Sequence, residues 1–113
     1  MNCNPVFSIA ASAVLAPFRR VKMGANGVEY AGAADAHIGT TLPGDLNREQ
    51  AAVQSKAVGI HNATTADATA IAVGDEIEGA ADGKVVKKDE NPAIGVALEA
   101  VAEADAEVRV VYY

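Results

Sequence analysis

At 113 residues and 11.5 kDa the chain has room for one compact body, not for a catalytic domain beside a separate binding domain. Half of its residues are hydrophobic but only 4% are aromatic, so burial must come from many small side chains, and so thin a core favours a protein that gains stability by association. A net charge of -6 speaks against a nucleic-acid partner, and a single Cys3 with His37 and His61 offers neither an intramolecular disulfide nor a zinc-ligand spacing.

The chain opens with an uncharged stretch, residues 5–18. No basic residue precedes it, Pro5 and Pro17 bracket it, and it is too short to cross a bilayer as a helix. It is therefore expected to be an apolar arm or first strand within residues 1–23, with no membrane partner. Arg19, Arg20 and Lys22 follow as the basic cluster, either one solvated strand face or an electrostatic contact with an acidic surface. Such a surface exists in the chain itself: residues 1–60 carry five Lys/Arg and four acids, whereas residues 61–113 carry four and eleven, so net +1 is followed by net -7.

Gly, Asp and Asn punctuate the remainder, at 24–27, 43–45, 74–75, 82–83 and 90–92. Between them, β-prone segments predict strands near 6–9, 18–23, 28–31, 37–42, 53–60, 70–73, 76–78, 84–87, 93–99 and 107–112. The helical candidate is 46–55, with Asp45 as cap and Glu49 in its first turn, and one turn of it is expected. The fold class is mainly β: a small barrel or sandwich, with residues 24–113 as one β-rich domain and at most one short helix.

A weak internal repeat gives this architecture its expected symmetry. Gly27 falls on Gly83 at an offset of 56, and Ile38-Gly39 falls on Ile94-Gly95, so pseudo-repeats at 24–55 and 80–113 both read turn, strand, polar loop, then Ile-Gly-x-x-Leu. A glycine inside each of those strands permits a bulge or a close backbone approach. Two related β units packing together would close one barrel.

Chemistry is sparse. His37 sits in a predicted strand and His61 opens the polar stretch 61–67, so a His with Ser55 or Asp67 is the conceivable catalytic pairing, yet no nucleophile elbow or phosphate loop accompanies it. Ordinary surface histidines are expected, and no enzyme activity, metal or cofactor. The acids from Asp75 to Glu107 lack calcium-loop spacing, and Glu76-Ile77-Glu78 has the alternation of a strand with one wet face.

The segments Ala70-Ile71-Ala72-Val73-Gly74-Asp75, Ala81-Asp82-Gly83-Lys84-Val85-Val86, Ile94-Gly95-Val96-Ala97-Leu98-Glu99-Ala100 and Val108-Arg109-Val110 occur in that order. In this the chain resembles the small capsid cement, or head decoration, proteins of tailed phages, most closely over residues 56–113 and less closely over 24–55. The resemblance implies a non-enzymatic β-rich virion protein on the outer surface of the capsid, with the major capsid protein and neighbouring copies, often in trimers, as partners. Within that expectation Pro5, Val6, Phe7 and Ile9 make the capsid or inter-subunit contact, and Arg19, Arg20 and Lys22 orient it. Val110 to Tyr113 would form the closing strand. The alternative is a carrier barrel of the lipoyl or biotinyl type, with Lys87 or Lys88 at a hairpin tip, although the sequence around those lysines lacks that family's context.

Overall fold

The computed structural model describes residues 6–11, 13, 15–43, 50–57 and 59–113. Among them the chain forms ten strands: β1 (Val6–Ala10), β2 (Arg20–Gly24), β3 (Gly27–Tyr30), β4 (Gly39–Thr41), β5 (Gln50–Ser55), β6 (His61–Thr64), β7 (Glu76–Gly79), β8 (Val85–Lys87), β9 (Gly95–Ala97) and β10 (Glu107–Tyr112). A single 3-10 turn, Ala81–Gly83, separates β7 from β8. The mainly β architecture is as the sequence implies.

The ten strands divide by chain order into two antiparallel sheets of five. The first runs β1-β5-β4-β2-β3 and the second β6-β10-β9-β7-β8, so advancing every label by five converts one order into the other. Registers agree as well. Val21 pairs with Gly39 in the first sheet and Ile77 with Gly95 in the second, both an offset of 56. Ile38 N–H donates to the Val21 carbonyl at 2.9 Å, and Ile94 N–H donates to the Ile77 carbonyl at 2.8 Å. Phe18 N–H reaches Thr41 O, and its counterpart Gly74 N–H reaches Ala97 O. The repeat seen in 24–55 and 80–113 thus extends through all ten strands, including β1 and β6, where the sequences share little.

The expected closure into one barrel does not occur. Each repeat builds its own sheet, and the sheets pack as a two-unit sandwich. In each unit one isolated parallel bridge, Ala11 to Val28 and Thr65 to Val85, brings the first and third strands together without closing a ladder. The glycines in β4 and β9 explain the tight central register: a Cβ on Gly39 would collide with the Gln54 carbonyl, and one on Gly95 with the Val111 carbonyl.

Each unit has its own apolar cluster. In the first, Val21, Val28 and Val53 are buried, with Ile9, Ala11, Leu15 and Ala51 packed against them. The second buries Ala63, Ile71, Ile77, Val85, Ala97, Val108, Val110 and Tyr112. Strand β10 alternates exposed and buried residues along its length, as a half-buried strand does, and lies between β6 and β9 rather than closing a barrel.

Local expectations fail in four places. Residues 50–55, assigned to the helical candidate, are strand β5; Val53 enters the core there, while residues 45–49 lie outside the described residues. Stretch 61–67 is not simply a polar loop, because its first four residues form β6 with His61 and Ala63 buried. Segment 70–73 contributes one bridge, Ile71 to Val101, in place of a strand. Finally, Glu76-Ile77-Glu78 does not have one wet face, because Glu78 is buried like Ile77.

Candidate functional site

The two apolar clusters do not merge, so the seam between the units is polar. Its centre is Arg20, the first residue of β2 and wholly buried. Its Nε donates to Lys84 O at 3.2 Å, and its Nη2 donates to Ala80 O at 2.9 Å, Lys84 O at 3.1 Å and Gly32 O at 3.2 Å. One guanidinium therefore donates to carbonyls from both units, in addition to the N–H groups of Ala80 and Asp35 that reach Lys84 O and Gly32 O. Burial pulls the Arg20 pKa below its ordinary value, opposed by the neighbouring Tyr112 and Asp35.

Around Arg20 further hydrogen bonds cross the seam. Gly83 N–H, from the 3-10 turn, donates to Ala31 O at 2.8 Å, and Thr64 Oγ1 donates to Phe18 O at 3.1 Å. Arg19 Nη1 donates to Asp82 O at 3.1 Å, while its guanidinium lies 5.3 Å from the Tyr30 ring centroid. Gly79, at the end of β7, leaves room for this arrangement, because a Cβ there would meet the Arg20 guanidinium and the Ala33 carbonyl.

Beside the guanidinium sits an aromatic group that spans the seam. Tyr112 of the second unit stands edge to face with His37, centroids 4.5 Å apart, and with His61, centroids 5.1 Å apart. His61 Nδ1 and Thr40 Oγ1 are hydrogen-bonded at 2.9 Å, which joins β6 of the second unit to β4 of the first. Burial, then the charge of Arg20, Lys56 and the second histidine, holds His37 down to about 3. Burial likewise pushes Tyr112 up to about 12, against the opposing influence of Arg20 and Thr40. His37 and His61 are thus not surface histidines. Their partners, Tyr112 and Thr40, lie far along the chain, so no local pattern in the sequence distinguished them.

The expected contact residues are scattered. Val6 is 37% exposed on β1, whereas Ile9 turns inward against the first core. Phe7 pairs through its backbone with Val53, and Pro5 lies outside the described residues. The basic cluster is not a single docking patch. Arg20 is unavailable to a partner because it is spent inside the seam, Arg19 is half-buried against Asp82 and Tyr30, and Lys22 is ion-paired with Asp35 at 2.7 Å. The Asp35 carboxylate, held low by that ammonium and by Gly32 N–H, fastens the loop after β3. Lys87 lies within β8, opposite Ile77 and 3.6 Å from Asp75.

A second polar arrangement organises the far side of the second unit. Burial works against the charge of Glu78, but the N–H groups of Asp89 and Asn91, which its two oxygens accept, outweigh it and hold the carboxyl below its ordinary range. This fixes the loop after β8, which borders an open cleft of about 600 Å³ lined also by Asp67, Thr69 and Ala33. Among the described residues no cluster of His, Cys, Asp and Glu has the makings of a metal site.

No protein-family model matches the chain, and no curated protein matches it either. No helix among the described residues is long and apolar enough to cross a membrane.

Proposed function

We propose that this chain is a structural, non-enzymatic protein that docks on the outside of a tailed-phage capsid and bridges neighbouring major capsid protein subunits. The observation that carries this reading is the duplicated architecture: two units of the same strand order, joined by a buried seam, make one body with two related outer surfaces. A bridging protein needs two contacts held at a fixed spacing, since the second contact then forms at high effective concentration. The small first core, with three buried valines among the described residues, also suits a protein that gains stability when bound. Sequence resemblance over residues 56–113 supplies the partner class.

With Arg20 occupied internally, the docking contact is assigned to the exposed start of β1, with Val6 as its described apolar residue. Because β1 belongs to the first sheet, deleting it would damage the fold, so a point substitution is the cleaner probe. Co-sedimentation of the full chain with empty expanded shells of the cognate phage should saturate at a fixed ratio to capsid protein. Val6→Asp should weaken that binding by about tenfold while leaving the β-type circular dichroism spectrum unchanged. A folded chain that stays in the supernatant at all concentrations overturns the proposal.

A further inference from the structure

The seam combines three features. Neither apolar cluster crosses it, since the buried residues of one cluster all precede residue 56 and those of the other all follow residue 60. Its hydrogen bonds are few and centre on a buried cation, Arg20. Finally, a buried imidazole, His37, contributes to the contact by packing against Tyr112 of the other unit. A region with its own bonds but no shared apolar core is the first part of a molecule to open, because opening exposes little hydrophobic surface.

We propose that the seam is an acid-released latch: a proton taken up by His37 opens the contact between the two units while each unit keeps its own sheet and core. Among the described residues the groups that face His37 are Arg20 from β2, Lys56 just after β5, His61 from β6 and Tyr112 from β10. Arg20 and Lys56 are cations, the His61 ring also works against a positive charge on His37, and the Tyr112 phenol is neutral. Among the described residues an imidazolium at this position therefore meets repulsion or neutral rings, away from water. Asp35, the carboxylate acting on Arg20, is already bonded to Lys22.

The sign follows from where the proton is accepted. Closed, the seam holds His37 down to about 3, against an ordinary value of 6.5; open, the ring is hydrated and takes a proton near that ordinary value. The closed state therefore has its full advantage above 6.5 and loses it as pH falls from there toward about 3, by about tenfold in the closed-to-open ratio per pH unit. This mechanism does not depend on the capsid reading and is testable in the free protein.

Amide hydrogen exchange of the full chain, read residue by residue by NMR, separates seam opening from unfolding. Gly83 N–H bonds across the seam to Ala31, whereas Ile38 N–H and Ile94 N–H bond within the first and second unit respectively. Between pH 6 and pH 4 the protection factor of Gly83 should fall by about a hundredfold while those of Ile38 and Ile94 hold. In His37→Gln most of that fall in Gly83 protection should be lost, and a folded variant that keeps it whole overturns the latch. Loss of all three protections together, or a flat Gly83 profile in the unsubstituted chain, overturns the latch. Should His37→Gln fail to fold, the pH window in the unsubstituted chain decides: Gly83 protection that is level above about 6.5 and falls below it supports the proposal, and a fall of the same slope on both sides of 6.5 refutes it.

Discussion

The two units are the same backbone written in two chemistries. They share strand order, the glycine at the first position of β4 and β9, and the hydrogen bonds that surround it. They share little else. The first unit buries three valines where the second buries a larger cluster with Ile71, Ile77 and Tyr112, and the two halves of the chain differ by eight in net charge, +1 against -7. Arg20 and its counterpart Glu76 make the contrast plainest: they hold the same register position, paired with Thr40 and Val96, yet one is buried in the seam and the other is exposed and accepts a hydrogen bond from Tyr113. Backbone complementarity and a few close approaches are enough to maintain a topology; side-chain identity is then free to serve what each unit touches.

The comparison would break most visibly at Arg20. Arg20→Leu leaves the carbonyls of Ala80, Lys84 and Gly32 without their shared donor, and a loss of about 3 kcal/mol in urea-unfolding free energy is expected, against no more than about 0.5 kcal/mol for Glu76→Leu at the equivalent exposed position. Equal losses would mean that the seam does not distinguish the units. The next test sharpens the equivalence. Gly39→Ala and Gly95→Ala each drive a methyl into a backbone carbonyl of the neighbouring strand, so both should cost about 2 to 3 kcal/mol, and a loss confined to one would remove the structural parallel.

A smaller effect is expected at the turn that opens β2 and β7. Phe18 has φ 61, and its counterpart Gly74 has φ 88, so the first unit accepts a left-handed conformation with a side chain where the second uses glycine. Nothing lies within 4 Å of a Cβ at Gly74, so Gly74→Ala probes backbone strain alone and should lower stability by about 1 kcal/mol. The smallest effect belongs to Asp105→Asn, which removes the exposed ion pair with Lys84. Its influence on the thermal midpoint should be slight in dilute buffer and vanish at high salt.

Much of the second unit was legible in the sequence, because alternation in β10 and the turn residues on either side of β7 and β8 are local signals. The Ile-Gly pairs likewise announced the repeat, since a strand glycine reports on the neighbouring backbone. Strand β6 escaped because His-Asn-Ala-Thr has loop-like composition; only its pairing with β10 makes it a strand. Its place could have been found by extending the repeat from β1, where Val6 to Ala10 occupies the same position in the first sheet. Arg20 and the two histidines were unreadable for a different reason. Their partners are carbonyls, rings and a hydroxyl more than ten residues away, and a carbonyl carries no sequence signature.

The pairing of each unit's first strand with its last has a consequence for synthesis. Because β1 pairs with β5, the first sheet can be completed once residue 55 has left the ribosome, before any of the second is available. The second sheet must wait for β10, which separates β6 from β9 and supplies Val108, Val110 and Tyr112 to its core. During that interval β6 has no neighbour in its own sheet, and Thr40 and Phe18 O of the finished first unit stand ready to hold it through His61 and Thr64. The earlier half of the chain thereby serves as a scaffold on which the later half is assembled.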